Sequence, residues 1–200
     1  MGNHLKQLQN GCFYFSKFES FDIFWYCDLI SFMSSISEKN LGKIREKHSD
    51  HKIVFCSGSF DLVHSGHVLF FEDCKKLGDI LVVSVGPDID IKNNKGNNRP
   101  ILNQHVRLKM VSSLKPVDYC FIGERYAPKK HIFYSIEKVL KKLKPDVWVV
   151  NADAFSIPDR KELAKKYGIK IVVLKRWCPA KFDNISTTKI IEKIKNTTLA

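Results

Sequence analysis

Apolar positions in this chain fall into short blocks, and two periods alternate between them. Five blocks are β-rich and continuous: Ile53 to Phe55, residues 79–86, 118–122, 146–150 and 169–174. Runs of that length without a polar alternation are the pattern of strands buried on both faces. Between them the apolar spacing becomes helical. Val68, Phe71 and Leu77 keep it over residues 68–78, and further helices are expected over 103–114, 131–143 and 160–167, with Gly168 as a C-terminal stop. A last helix over 185–196 carries Ile190, Ile191 and Ile194, capped by Ser186 or Thr187. At the other end, Ser35-Ile36-Ser37-Glu38 is a capping-box pattern that opens a lead-in helix with Leu41 and Ile44. Strands separated by helices require right-handed crossovers, so the pattern predicts a doubly wound α/β fold with a five-stranded parallel sheet.

Two stretches stand outside that alternation. Residues 88–100, DIDIKNNKGNNRP, are polar and turn-rich, and read as a long loop at the edge of the sheet where ligands bind. Residues 1–33 form an N-terminal extension to a single domain spanning 34–200. The extension holds nine aromatic residues with no clean period. Lys17, Glu19, Asp22 and Asp28 interrupt it, so it offers no membrane span of about 20 apolar residues. No small-residue cleavage site of a signal peptide follows its weakly basic start. A dimerisation arm, a membrane-surface segment and a translated leader ahead of a start at Met33 remain open. The leader is the expectation, and with it a domain that folds and works without these residues.

Composition narrows the class. Cys12, Cys27, Cys56, Cys74, Cys120 and Cys178 lie far apart, with no CxxC pair and no Cys/His spacing for a metal. They read as thiols of a reducing, cytoplasmic setting. The net charge of +12 is spread over several helices, which suits small anionic ligands. No basic face interleaved with aromatics suggests a nucleic-acid partner.

The chemistry concentrates in IVFCSGSFDLVHSGH, residues 53–67. A buried strand runs into a Gly-bearing turn and then a helix N-terminus, the geometry that offers free backbone N–H groups to a phosphate. Gly66 lets a ligand approach the backbone closely, and His64 and His67, flanking it, can both donate to phosphate oxygens. GSFDLVHSGH resembles the HxGH signature of the nucleotidyltransferase superfamily, in its cytidylyltransferase-like branch. Within that branch the chain is most similar to the heptose 1-phosphate adenylyltransferase domain of lipopolysaccharide sugar biosynthesis, and next to glycerol-3-phosphate cytidylyltransferase. The likeness runs from about Ser35 to Lys195 and implies a Rossmann-like fold.

It also implies roles. His64, His67 and Lys95 are the expected catalytic residues. Gly58, Ser59, Phe60, Gly66, Asp88 and Arg107 would face the nucleotide. So would Arg176 and the ISTT element Ile185, Ser186, Thr187 and Thr188, which would hold its β- and γ-phosphates. Lys92, Lys95 and Arg99, the first matching the lysine after the second strand and the others the family's KGxxRP, would hold the acceptor phosphate. The implied reaction joins a phosphate monoester to the α-phosphorus of an NTP. Because that monoester has a second pKa of about 6, it is already an anion at neutral pH and needs no general base. Alignment and positive charge are what the site must supply. Mg²⁺ carried by the triphosphate is the expected cofactor, with no metal site in the protein itself. The partners are ATP or CTP and a small phosphorylated sugar or alcohol; a homodimer is left open.

Departures bear on the substrate. Asn151-Ala152-Asp153-Ala154-Phe155 stands where the heptose enzymes carry a KGGDY-like stretch, Ser59 replaces the usual cysteine or threonine, and the loop from Arg176 to Ile185 is long. Heptose 1-phosphate with ATP leads. Alternatives are CTP with glycerol 3-phosphate, an FAD synthetase-like adenylyltransferase, or an inactive nucleotide- or RNA-binding relative.

Overall fold

The computed structural model describes residues 35–125 and 133–197; the aromatic extension and its alternatives lie outside them. Five strands, β1 (Ile53–Gly58), β2 (Ile80–Val85), β3 (Tyr119–Ile122), β4 (Val147–Asn151) and β5 (Lys170–Leu174), make one sheet in the order β3-β2-β1-β4-β5. All four pairings are parallel, with Ile53 beside Ile80 and Val54 beside Val147. The expected Rossmann-like, five-stranded parallel sheet is therefore the observed one. Seven α-helices accompany it among the described residues. They are α1 (Leu41–Lys47), α2 (Ser65–Lys75), α3 (Asp88–Lys95), α4 (Gln104–Ser112), α5 (Tyr134–Leu143), α6 (Ile157–Lys166) and α7 (Thr187–Thr197).

Strands β1, β2 and β4 are buried on both faces as expected, whereas β5, at the edge of the sheet, has no buried residue. One face packs Phe55, Val82, Phe121, Trp148 and Val150 against Leu41 and Ile44 of α1 and Leu140 and Leu143 of α5. The other packs Val54, Cys56, Leu81 and Val83 against Phe71 and Cys74 of α2 and Val111 of α4. Cys56, Cys74 and Cys120 are buried thiols, and burial pushes Cys120 up to about 12, so they are inert packing residues. At the amino-terminal ends of β1 and β2, away from the cleft, carboxylates receive strand amides. Asp146 accepts from Ile53 N at 2.7 Å and Asp118 from Leu81 N at 2.7 Å.

Three local expectations change. Ser37, not Ser35, caps the lead-in segment, accepting from Lys39 N, while Ser35 pairs with Cys120 in an isolated parallel bridge. The helix after β1 begins at Ser65 instead of Val68, which brings the histidines into its first turn. The stretch 88–95, expected as loop, is helix α3. Pro87 at its N-cap, Asp88 and Asp90 in its first turn and a buried Ile91 explain it. Acidic residues at a helix start favour the dipole, and one buried apolar residue anchors a short helix. Gly96, at φ +91°, ends it.

The sheet's reversal point lies between β1 and β4, whose carboxyl ends Gly58 and Asn151 border an open cleft. A doubly wound sheet binds its ligands at such a point. Close packing behind the cleft makes one glycine indispensable. A Cβ on Gly78 would lie 2.6 Å from Lys52 O, whereas one on Gly42 meets nothing within 4 Å. Gly78→Ala is therefore expected to cost about 1–3 kcal/mol in urea unfolding, while Gly42→Ala in α1 raises stability by about 0.4–1 kcal/mol. Equal effects at the two positions would contradict this packing.

Candidate active site

Three segments converge on a cleft of about 570 Å³. The first is the β1–α2 loop. His64 is the N-cap of α2, and its Nδ1 accepts from Gly66 N at 3.2 Å. That bond leaves Nδ1 without a proton, so in the neutral ring the proton sits on Nε2, a donor. His67 stacks on His64 with ring centroids 4.0 Å apart and meets Phe60 edge-on at 5.5 Å. Burial, reinforced by His64, Arg176 and Lys95, lowers His67 to about 3. Burial and then Arg176 lower His64 as well. Both imidazoles are neutral hydrogen-bond donors near pH 7. Gly66 is where the structure needs no side chain: a Cβ there would lie 3.0 Å from the His64 ring and 3.6 Å from Ile185 O.

That last distance also measures how closely the second segment, the start of α7, faces the first. Ser186 Oγ accepts from Lys189 N at 3.3 Å, and Thr187 Oγ1 donates to Asp61 O at 2.6 Å. Two helix N-termini thus open on one cleft, with Ile185, Ser186, Thr187 and Thr188 along its wall. Each presents the positive end of a helix dipole to the cleft, and at α2 the amides of Gly66 and His67 are already bonded to His64.

The third segment is the turn after α3. Asp61, 1% exposed, accepts from Arg99 Nε at 2.8 Å, from Ile101 N at 2.9 Å and from Leu102 N at 3.0 Å. Burial alone would raise its carboxyl, but those two amides and the guanidinium more than offset it and hold the group below its usual range. Arg99 spends its Nε on Asp61, leaving its Nη groups for the cleft. Lys95 lines the same wall; burial and then Arg99 lower its ammonium. Across the cleft Arg176 pairs with Asp153 at 2.9 Å, both well exposed.

The structure brings Gly58, Ser59, Phe60, Gly66, His64, His67, Lys95, Arg99 and Arg176 to one cleft together with the α7 start. Asp88, Lys92 and Arg107 do not. Arg107, expected at the nucleotide, is fully buried. It donates to Leu102 O at 2.9 Å, Ser59 O at 2.5 Å, Gly86 O at 2.7 Å and Asp88 Oδ1 at 2.6 Å. The structure makes Arg107 and Asp88 a brace that fixes the backs of three cleft loops, because a guanidinium buried without those acceptors would be too costly. Lys92 lies a turn before Lys95 on α3.

Sequence reasoning passed over Asp61, Phe70, Asp73, Lys175 and Cys178, which also line the cleft. The signal for Asp61 is structural and not written in the sequence: it lies between Phe60 (φ 47°) and Leu62 (φ 49°), left-handed positions that only a strongly held loop sustains. For Asp73 and Trp177 there was none, since 104 residues separate them.

Known proteins give the cleft a context. The cytidylyltransferase-like family model matches residues 55–193. The bifunctional protein HldE of Helicobacter pylori (strain HPAG1) is 39% identical over 151 residues, 76% of this chain and 29% of that protein. HldE of Campylobacter jejuni (strain RM1221) is 34% identical over 179 residues, 84% of this chain and 34% of that protein. The chain thus spans about a third of the length of these curated relatives. The crystal structure of the lipopolysaccharide core biosynthesis protein from Thermoplasma volcanium GSS1 superposes with a TM-score of 0.53 at 29% identity, over 64% of this chain and 98% of that one. Pantoate-β-alanine ligase from Francisella tularensis, at 20% identity and a TM-score of 0.54 over 82% of this chain and 77% of that one, shares the fold.

With neutral histidines acting as donors, His64→Ala and His67→Ala are each expected to lower kcat about 10²–10³-fold, the scale for one transition-state donor, with nucleotide affinity changing far less. His64→Gln keeps part of the rate, since an amide still donates. Both imidazoles are held below the ordinary histidine value of about 6.5, His67 at about 3, so kcat/KM shows no histidine limb at or above that value that disappears in His64→Gln. Such a limb, or undiminished kcat in His64→Ala, contradicts the assignment.

Proposed function

The chain belongs to the cytidylyltransferase-like family of nucleotidyltransferases, and from that premise we propose that it transfers a nucleotidyl group from ATP to a sugar 1-phosphate, with a heptose 1-phosphate as the acceptor. The observation that carries this reading is the pair of helix N-termini, α2 and α7, opening on one cleft with two neutral histidines between cations. In the reaction an oxygen of the acceptor phosphate attacks the α-phosphorus of the NTP. The new O–P bond forms as the bond to the β-phosphate oxygen breaks, and pyrophosphate leaves with that electron pair. Negative charge spreads over the α-phosphoryl oxygens and the departing pyrophosphate, and the cleft's groups match it in kind.

His64 and His67 donate to the α-phosphoryl oxygens and to the bridging oxygen. The start of α7 and Arg176 hold the β- and γ-phosphates. Lys95 and Arg99, on the opposite wall, receive the acceptor phosphate as point charge and fork respectively. No side chain is asked to remove a proton, because the acceptor is already ionised. Arg176 exchanges Asp153 for phosphate when the nucleotide enters.

The nucleotide is taken as its Mg²⁺ complex. Among the described residues no three His, Cys, Asp or Glu side chains cluster as a metal cage. The cleft carboxylates are engaged: Asp61 by Arg99, Asp73 by Lys76 and Trp177, Asp153 by Arg176. Such a site suits Mg²⁺ held by the phosphates and water, which is how this ion commonly enters phosphoryl-transfer sites. The heptose acceptor rests on the likeness to the heptose 1-phosphate adenylyltransferase domain and on the HldE relatives. No helix among the described residues is long and apolar enough to cross a membrane.

Pyrophosphate release, measured with each of four NTPs against a panel of sugar and polyol phosphates, tests the reading. ATP with an aldose 1-phosphate should give the highest kcat/KM, and chelation of divalent cations should abolish turnover. CTP with glycerol 3-phosphate as the best pair would make the chain a cytidylyltransferase for alcohol phosphates. No release with any pair, or full turnover after exhaustive chelation, would refute the proposal.

A further inference from the structure

Along the flank of α2 the cleft changes character. Phosphate binding calls for N–H groups and cations, yet here Leu69 and Phe70 line the cleft from the helix and Trp177 lines it from the segment joining β5 to α7. Trp177 is 54% exposed. Its indole is nevertheless anchored, because Nε1–H donates to Asp73 Oδ2 at 2.6 Å. Asp73 is itself a built partner: its side chain is 20% exposed and its other oxygen accepts from Lys76 Nζ at 2.7 Å. Burial would raise its carboxyl, but Lys76 and the indole more than offset that and keep it below the usual range. The adjacent residue, Arg176, is tied to Asp153. Two consecutive residues are thus fastened to two different cleft walls. An exposed tryptophan would ordinarily sample several rotamers; this one has its edge fixed while much of its ring stays open to solvent.

We propose that Trp177, positioned by Asp73, is the stacking platform for the nucleobase and gives the site a preference for purine over pyrimidine nucleotides. The inference rests on the reading of the cleft as a nucleoside triphosphate site and adds to it the residues that read the base. An anion-binding cleft that ends in an oriented aromatic plane fits a ligand with a charged tail and a flat, weakly polar head. Stacking tolerates any base, because each has a π-face, but a bicyclic purine covers more of an indole than a single pyrimidine ring does. Asp73 touches neither base nor phosphate in this scheme. It acts by removing the indole's freedom to turn, so that less ordering is left to occur on binding.

The test compares equilibrium binding of ATP, CTP and inorganic tripolyphosphate to the full chain and to Trp177→Ala, Trp177→Phe, Asp73→Ala and Asp73→Asn. Trp177→Ala should weaken ATP about tenfold or more, the scale of one base on one aromatic ring. CTP should weaken less, and tripolyphosphate, which has no base, should not weaken. Trp177→Phe should retain most of the ATP affinity. Asp73→Ala should lose part of it, and Asp73→Asn should recover that part, because an amide oxygen still accepts from the indole N–H. ATP should also quench tryptophan emission in the native chain, and that quench should be missing in Trp177→Phe. Unchanged ATP affinity in Trp177→Ala overturns the inference while tripolyphosphate binding upholds the triphosphate cleft. A raised KM for the acceptor alone overturns it too, by giving Trp177 to the other substrate. Failure of the native chain to bind tripolyphosphate overturns the reading of the cleft, and this inference with it.

Discussion

The Asp61 carboxylate joins parts of the chain that have no other reason to meet. It collects Arg99 and the amides of Ile101 and Leu102, about 40 residues away, while the backbone carbonyl of the same residue takes the hydroxyl of Thr187, 126 residues away. These bonds draw the turn after α3 and the start of α7 onto the loop that carries the histidines. They also hold Phe60 and Leu62 in left-handed conformations that cost about 1–3 kcal/mol each and persist only when the surroundings over-determine them. A buried carboxylate with three donors is the sort of group that can sustain that cost. Arg107 plays the complementary part from behind. Its guanidinium gathers the carbonyls of Ser59, Gly86 and Leu102, so the outer ends of β1 and β2 and the start of α4 are fixed from within the core.

The charge pattern that results matches phosphoryl transfer better than acid–base chemistry. Positive groups are arranged around two imidazoles that burial and those same cations keep neutral. A proton shuttle would need a pKa near the working pH, and His67 at about 3 is far from it. Donors that do not change charge are suited to a transition state whose negative charge is shared among many oxygens. In the proposed reaction the exposed Arg176–Asp153 pair exchanges partners at small cost, because exposed ion pairs contribute little.

Most of the sheet was legible because its strands are buried on both faces and therefore written as unbroken apolar blocks; Ile53 to Cys56 and Leu81 to Val83 are examples. The histidine loop was legible for a different reason, as a short motif whose parts are neighbours in sequence. The helix over 88–95 was not, since its eight residues carry one buried apolar side chain and a composition that also suits a loop. Asp88 and Arg107 followed the family's order, yet order does not say which side of a loop a side chain supports. A burial decision made by Ser59, Gly86 and Leu102 together turned Arg107 inward. The Trp177–Asp73 contact left no trace in sequence, because nothing local marks a partner on another element.

The most direct test of this account is the turnover of Asp61→Asn set beside its unfolding midpoint. The proposed reaction gives Asp61 no contact with substrate, and neither apolar cluster of the core includes it. If its carboxylate assembles the cleft, the variant should keep its secondary structure and a cooperative unfolding transition while kcat/KM falls about 10²-fold or more, the scale for misplaced catalytic groups. Native-like turnover in Asp61→Asn would contradict the claim that this buried charge holds the site together.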